Sequence, residues 1–183
     1  MEEFIVSAFT ENNIGLLNRI TIIFTRRGVN IESLTVSESA LKGISKFTIT
    51  VRTTEEQVQK IVSQIEKLVE VLKAFYHTND QMIQQEIALY KISTKSLMES
   101  NQVEKIVRKH GARIIEITED YTVLEKTGHN NETTDLFDEL QCLCGVLQFI
   151  RSGRIALTRS PIEKLSQFLR ERDSYLEKVK EEK

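Results

Sequence analysis

The chain has 183 residues, of which 40% are hydrophobic and 28% charged, and its formal net charge at pH 7 is −2. These values are typical of a globular protein with one or two domains, and the near balance of charge argues against nucleic-acid binding. No apolar run approaches the length of a membrane span, and the N-terminus Met1–Phe4 is acidic where a signal peptide would be basic, so we expect a cytoplasmic protein.

The part of the chain up to Thr78 predicts a βαββαβ order, with helical spacing or strand alternation of apolar residues in each element. The predicted elements are a strand over Glu3–Phe9, a helix over Gly15–Arg27, strands over Asn30–Ser39 and Ile44–Arg52, a helix from the capping sequence Thr53–Gln57, and a strand over Val69–Tyr76. In the strand that begins at Asn30, alternation places Ile31 on one face and Leu34 on the other. This order is that of a ferredoxin-like domain, with an antiparallel four-stranded sheet and both helices on one face.

The same order recurs in a more degenerate form after a polar join at Thr78–Gln85. The predicted elements are a strand over Glu86–Thr94, a helix over Glu99–His110 that Gly111 stops, strands over Ala112–Thr118 and Tyr121–Lys126, a polar loop over Gly128–Glu132, a helix over Thr134–Leu143, and strands over Val146–Arg151 and Arg154–Thr158. Pro161 ends this domain. Ile162–Lys183 then predicts a charged helix with a narrow apolar stripe, which should dock or pair with another chain unless it is a frayed tail.

We therefore predict an α+β protein with ferredoxin-like domains at residues 1–78 and 79–160 and a helical extension at residues 161–183. Two polar turns flank its first helix: Asn12–Gly15 opens the helix and Gly28–Asn30 leaves it. A helix start offers unpaired backbone N–H groups to a carboxylate, and an Asn amide can accept from an ammonium group. The arrangement favours a site for a small zwitterion over catalysis. Taken alone, the first turn fits a plain helix cap at least as well.

The other polar residues do not predict a catalytic or metal site. Cys142 and Cys144 form neither a disulfide framework nor a zinc knuckle. Three histidines are scattered along the chain: His77, His110 and His129. No set of nucleophile, base and orienting group is visible, so we expect no catalytic residue and no metal site. Arg151 and Arg154 flank the turn Ser152–Gly153 and either present charge to a partner or belong to a solvated turn.

Five blocks of the sequence together resemble one family. They are Asn12–Arg19, Arg27–Leu34, Glu86–Ile92, Tyr121–Val123 and Arg151–Gly153. In residues, order and spacing they resemble the small, regulatory subunit of acetolactate synthase, also called acetohydroxyacid synthase. The resemblance covers about residues 3–160, and its most specific part is the Arg-Gly-Val-Asn-Ile-Glu-Ser-Leu sequence.

The resemblance implies that the first domain is an ACT domain, which pairs edge to edge in a homodimer and binds a branched-chain amino acid, typically valine, where the two copies meet. The ligand-binding residues that it implies are Asn12, Asn13, Ile14, Gly15, Leu16, Leu17, Asn30, Ile31 and Ser37. Ile14 and Asn18 depart from the residues more usual there, so the choice among valine, leucine and isoleucine stays open.

The resemblance also implies a partner, the large catalytic subunit, which uses thiamine diphosphate, magnesium and a flavin. This chain would hold no cofactor, would raise the activity of that enzyme, and would make it sensitive to feedback inhibition in branched-chain amino-acid biosynthesis. Two alternatives remain. One is a free-standing ACT sensor that acts on another enzyme, against which the Gly28–Leu34 sequence and the second domain argue. The other is a small independent enzyme, for which no acid/base group is visible.

Overall fold

The computed structural model describes residues 1–99, 101–162 and 165–170. Its contacts divide the chain into two units, of which the first comprises Met1–Ile83 together with the chain from Ala156 on, and the second comprises Gln84–Ile155. Within the described residues, no helix is both long enough and apolar enough to cross a membrane.

The first unit has the predicted βαββαβ order. Its elements are β1 (Glu2–Glu11), α1 (Leu16–Arg26), β2 (Ile31–Glu38), β3 (Ile44–Thr53), α2 (Glu55–Ile65) and β4 (Val71–Thr78). The strands are antiparallel and lie in the order β2-β3-β1-β4, which confirms the ferredoxin-like fold. The two middle strands are therefore β3 and β1, and β2 is an edge strand.

Alternating residues of the middle strands build the helix-side core of the first unit. Phe4, Val6 and Ala8 of β1 and Phe47, Ile49 and Val51 of β3 share one face and are all buried. Leu16, Ile20, Ile23 and Phe24 of α1 and Val58, Ile61, Val62 and Ile65 of α2 complete the cluster. Both helices thus bury their apolar stripes against the same face, as their periodicity predicts.

The predicted alternation of β2 is wrong at its start. Ile31 pairs with Val51, but Ser33 already pairs with Thr50, so the strand contains a bulge between them. The extra residue shifts the alternation. As a result, Ile31 and Leu34 both pack against the helix-side core, where simple alternation had placed them on opposite faces.

The second unit repeats the topology of the first. Its elements are β5 (Met82–Ser93, which starts in the first unit), α3 (Thr94–Glu99), α4 (Asn101–Lys109), β6 (Arg113–Ile117), β7 (Tyr121–Gly128), α5 (Asn130–Leu143) and β8 (Gln148–Arg151). The next strand, β9 (Ile155–Thr158), belongs to the first unit from Ala156 on. The sheet order is β6-β7-β5-β8, and β9 pairs with β5. The core contains Tyr90, Ile92 and Leu124 from the strands, Val103 and Val107 from α4, and Leu136 and Leu140 from α5.

Two predicted boundaries in the second unit are wrong. The chain already turns into α3 at Thr94, where a strand end was expected, and Thr94 Oγ1 donates to Thr118 O at 2.8 Å. The polar loop expected over Gly128–Glu132 is instead a strand end followed by the first turn of α5. The Glu132 carboxylate accepts from His129 N at 2.7 Å, which caps the helix and makes these polar residues part of it.

The predicted C-terminal helix is described only in part. Residues 165–170 are helical, whereas residues 163–164 and 171–183 lie outside the described residues. Leu165 is only 1% exposed, and the ring of Phe168 lies 5.7 Å from Lys73 Nζ. The described part of the extension therefore packs against the first unit.

The start of α2 offers a test of the capping prediction. Thr54 Oγ1 accepts from Gln57 N at 3.4 Å. We expect Thr54→Ala to lower the free energy of unfolding by about 0.5–1 kcal/mol, because Gln57 N–H loses its side-chain acceptor and keeps only the Thr54 carbonyl at 3.1 Å. Urea denaturation would measure this loss. Thr25→Ala, on an exposed part of α1, should be neutral or slightly stabilising because Ala favours a helix; equal losses in both variants would contradict the capping role.

Candidate functional site

The turn that opens α1 is held at both ends by the backbone. Asn12 N donates to Gly43 O at 3.2 Å, in the loop between β2 and β3, and Asn13 N donates to Glu11 O at 3.0 Å. Gly15 then enters the helix with φ of 83°, in the left-handed region that favours glycine. The backbone of this turn is thus fixed in place before any ligand is present.

The same turn leaves donors unused. Within the described part of the chain, no hydrogen bond starts from the backbone N–H groups of Ile14, Gly15, Leu17 or Asn18. They lie at the positive end of the α1 dipole, where an anion is favoured. The side chain of Ile14 is fully exposed and that of Leu17 is 48% exposed, so apolar surface lies beside the free donors. The turn combines what a carboxylate and an aliphatic side chain both need.

The second turn is equally well defined. Gly28 N donates to Thr25 O at 3.0 Å and Val29 N donates to Phe24 O at 3.1 Å, while Gly28 has φ of 66°. This pattern is a Schellman motif, and it confirms Gly28 as the predicted helix stop. Val29 packs into the helix-side core, and Asn30 emerges exposed at the start of β2.

The two turns lie far apart within one chain. They flank α1, whose 11 residues span about 16 Å. The pairing of the strands also shows this separation. Glu11, just before the first turn, lies opposite Ile44, and Ile31, just after the second turn, lies opposite Val51. Ile44 and Val51 are roughly 23 Å apart along β3. One chain therefore does not bring Asn30 and the first turn to the same small ligand.

The implied site residues thus fall into two groups. Asn12, Asn13, Ile14, Gly15, Leu16 and Leu17 lie at one end of α1, and Asn30 and Ile31 lie at the other. Ser37 pairs with Lys46, two residues from the Ile44 end of β3, so it belongs with the first turn. Leu16 is 3% exposed and packs in the core, so its side chain supports the turn from within.

Strand β2 is the element that connects the two groups. It pairs only with β3 among the described strands, so the backbone groups on its other side face away from the sheet. Glu32, Val36, Ser37 and Glu38 are exposed, and Val36 has 43% of its surface accessible. An edge strand of eight residues without proline or lysine is suited to pairing with a further strand.

Arg151 and Arg154 turn inward toward Glu86. Four side chains approach its carboxylate: Thr133 Oγ1 at 2.6 Å, Asn130 Nδ2 at 3.3 Å, Arg151 Nε at 3.6 Å and Arg154 Nε at 3.8 Å. The side chain of Glu86 is only 3% exposed. Arg151 also donates to Thr134 Oγ1 at 2.7 Å. These arginines therefore bind the second unit together, a role that their place beside Ser152–Gly153 did not reveal in the sequence.

Among the described residues, the cysteines and histidines do not come together in a shared site. Cys142 is exposed, and burial raises the pKa of the Cys144 thiol. His110 Nε2 lies 3.2 Å from Glu139, whose carboxylate pKa is held below its ordinary value by Lys109 and then by His110. Within the described residues, no group of three or more His, Cys, Asp or Glu side chains is placed to hold a metal ion.

Family models match both units. Residues 6–73 match the ACT domain of the small subunit of acetohydroxyacid synthase, and residues 85–160 match the model described as the small subunit of acetolactate synthase. The two matches together define the class of protein: a small subunit of this synthase, with an ACT domain followed by a second domain.

Individual proteins similar to this chain are also small subunits of acetolactate synthase. The chain is 32% identical to a probable acetolactate synthase small subunit of Methanothermobacter thermautotrophicus over 85% of its own length and 92% of that protein. It is 31% identical to the acetolactate synthase small subunit of Bacillus subtilis over 88% and 94% of the two lengths. The crystal structure of the acetolactate synthase small subunit from Thermotoga maritima superposes with a TM-score of 0.79 at 27% identity, covering 88% of this chain and 100% of that one. The chain belongs to the family of acetolactate synthase small subunits.

The Glu86 cluster generates a stability prediction. Glu86→Ala should lower the free energy of unfolding of the second unit by about 3 kcal/mol, because it leaves two guanidinium groups without their buried counter-charge. Chemical denaturation followed by circular dichroism would measure the loss. Glu125→Ala removes a more exposed ion pair with Arg113 and should have little effect. An equally mild effect of both substitutions would contradict the structural role of Glu86.

Proposed function

We propose that this chain raises the activity of an acetolactate synthase catalytic subunit and makes that enzyme sensitive to inhibition by a branched-chain amino acid, with valine the first candidate. Membership of the small-subunit family supports the class of partner. The observation that carries the ligand proposal is the turn at Gly15, where unpaired N–H groups and exposed apolar side chains meet in an ACT domain.

The ligand would lie between two chains. Antiparallel pairing of β2 with β2 of a second copy places the Ile31 end of one strand opposite the Glu38 end of the other. The Glu38 end adjoins the loop whose Gly43 carbonyl holds the first turn. Such pairing brings Asn30 of one copy toward the Asn12–Gly15 turn of the other, across the distance that separates them within one chain. This form of recognition extends a sheet at its edge.

Each part of the ligand would have its own contacts. The N–H groups at the start of α1 would hold the carboxylate, Gly15 would let the backbone approach it closely, and Asn30 would help to orient the polar groups. Hydrogen bonds to a charged group contribute about 1.5–3 kcal/mol each, and burial of an isopropyl group contributes a similar amount. After the cost of association, affinity should be on the order of micromolar to millimolar. That range suits a sensor of a cellular metabolite.

The catalytic subunit would supply all of the chemistry. We expect thiamine diphosphate, magnesium and a flavin on that partner, and no cofactor on this chain. Ligand binding would change how the paired ACT domains sit and so alter contacts with the catalytic subunit. A coupling free energy of about 1–3 kcal/mol is enough for such control.

Reconstitution tests the partner. The purified chain should form no acetolactate from pyruvate by itself, should co-purify with a thiamine-dependent synthase, and should raise the activity of that synthase when added back. Activity of the chain alone would indicate an independent enzyme. Failure to associate with any such synthase would favour a free-standing ACT sensor.

Two substitutions test the ligand site. Asn30→Ala and Gly15→Asp should raise the valine concentration for half-inhibition by roughly tenfold or more, because one hydrogen bond or the turn itself is lost. Activation of the catalytic subunit should persist. Calorimetric titration of the wild-type chain with valine, leucine and isoleucine would measure binding separately from the partner and would rank the three.

Matched controls lie in the second unit. Gly145 also has a left-handed φ, of 73°, so Gly145→Asp imposes comparable backbone strain away from the site. Asn101→Ala removes an exposed amide from the start of α4. Neither should change the response to valine. Unchanged inhibition in Asn30→Ala and Gly15→Asp would rule out the proposed site while leaving the regulatory role intact.

A further inference from the structure

The second unit has an edge strand, β6, that corresponds to β2 of the first unit. In both units the chain leaves a helix at a glycine with a left-handed φ, Gly28 or Gly111, and then enters the edge strand. The strand pairing shifts at the same place, after Ile31 in β2 and after Ile114 in β6. Among the described strands, β6 pairs only with β7, so the backbone groups along its other side face away from the sheet.

The two edge strands differ in what their apolar side chains contact. Ile31 and Leu34 of β2 pack against the helix-side core of the first unit. Their counterparts in β6, Ile114 and Ile117, are 42% and 59% exposed, and Ile115 between them is 50% exposed. All five residues of β6 are exposed, and three of them are isoleucine. Apolar side chains concentrated along an unpaired edge favour contact with a further strand.

The two charged residues of β6 lie on one face of the strand. Arg113 lies opposite Glu125 of β7 and Glu116 lies opposite Val123, and these β7 positions are two residues apart. Arg113 forms an ion pair with Glu125, yet its side chain is 74% exposed, and a guanidinium group has five N–H donors. Glu116 is also exposed. Both charges are therefore accessible at the edge of the sheet.

This arrangement is complementary to a second copy of itself. When two β6 strands pair antiparallel about a twofold axis, Arg113 of one copy can lie opposite Glu116 of the other, and the same pair then forms a second time across the axis. Opposite charges in directly opposing positions stabilise paired strands. The exposed isoleucines of both copies come together in the same contact, which removes apolar surface from water.

A short, bulged strand is also a common form of protected edge. Protection of that kind usually includes a lysine, a proline or a charge that points inward, and β6 contains no lysine or proline. Its charges lie on the same face as Glu125 of β7, whereas Ile114 lies opposite Leu124, which is buried in the core of the second unit. The core side of β6 therefore carries isoleucine rather than charge, which suits pairing with another strand.

The size of β6 limits the strength of such pairing. Its five residues are far fewer than the roughly 20–30 residues per side of a standard protein interface. Pairing of β6 alone would therefore not hold two free chains together. Between copies that are already joined elsewhere, the effective concentration is on the order of millimolar, and a small contact of this kind can form.

We propose that β6 is a second self-association edge of this chain. It pairs antiparallel with β6 of another copy, with Arg113 of one copy opposite Glu116 of the other, in an assembly that the pairing of β2 holds together. This contact thus rests on the proposed association through β2, and it does not depend on the ligand.

Cross-linking of the full-length chain tests the contact. In a background with Cys142→Ser and Cys144→Ser, Ile115→Cys places a thiol between Arg113 and Glu116, and Thr127→Cys places one at an exposed position of β7 as a control. A short bismaleimide should join two Ile115→Cys chains roughly tenfold more efficiently than two Thr127→Cys chains, because only the first pair is held close together.

Sedimentation of the same proteins separates the two contacts. Associated chains without preferential Ile115→Cys cross-linking would overturn the β6 contact alone. Chains that stay monomeric would overturn the pairing of β2 as well. Cross-linking of Ile115→Cys to the catalytic subunit instead would assign this edge to that partner and contradict self-pairing.

A charge exchange tests the register. Glu116→Arg places two arginines in opposing positions, and Arg113→Glu places two glutamates there, so each substitution alone should lower the yield of Ile115→Cys cross-linking by roughly fivefold. A mixed dimer of the two variants, co-expressed with different affinity tags, has an arginine opposite a glutamate at both positions and should regain the original yield. Such recovery cannot come from the folding of either chain by itself. A yield that stays low in the mixed dimer, or that is equal in all of these proteins, would overturn the pairing of Arg113 with Glu116.

Discussion

Gly28 leaves α1 in a left-handed conformation, and the geometry of the first unit follows from that turn. The Schellman hydrogen bonds fix the direction in which the chain departs, Val29 anchors it in the core, and β2 then runs along the edge of the sheet. Because α1 is rigid, its length of about 16 Å keeps Asn30 and the turn at Gly15 apart. A ligand that needs both turns must therefore obtain one of them from a second chain. The edge strand that would bring the second chain is the element that Gly28 positions.

The second unit has the same strand order and the same kind of helix stop as the first unit, but it has no counterpart of the candidate site at Gly15 among its described residues. Gly111 ends α4 with the same pair of hydrogen bonds, from Gly111 N to Arg108 O and from Ala112 N to Val107 O. Its polar groups, however, bond to one another. The first turn of α5 supplies Asn130 and Thr133 to the buried Glu86 carboxylate, whereas the first turn of α1 leaves its N–H groups available. Similar topology thus supports a self-contained charge cluster in one unit and a turn with unpaired N–H groups in the other.

The sequence carried enough information for the elements and the helix stops, because both follow from local chemistry. Apolar periodicity predicted the fold of each unit, and Gly28 and Gly111 were recognisable as stops. The bulge at Ile31 was not recognisable, because a bulge changes pairing with β3 and leaves no local mark in the alternation. The start of α5 was missed for a related reason. Polar residues of a capped first turn look like a loop until their partner, here Glu86, is known.

The sequence likewise did not predict that Arg151 and Arg154 point inward and contact Glu86. Their partner Glu86 lies more than sixty positions away, and the contact exists only after β5, α5 and β8 have packed. The turn at Gly15 was found for the opposite reason. Its donors are unpaired because of their position at a helix start, which is a local property. Unpaired backbone groups at a helix start were therefore predictable from the sequence, whereas side-chain contacts between distant parts of the chain were not.

Strand β1 limits how the first unit can respond to a ligand. It pairs with β3 on one side and β4 on the other, and residues Phe4–Thr10 are buried without interruption. A close-packed strand of this kind resists internal rearrangement, because a small shift would disturb contacts on both faces. The proposed ligand would bind at the edge of this sheet. We therefore expect any regulation to proceed by rigid displacement of whole domains, with the sheet itself unchanged.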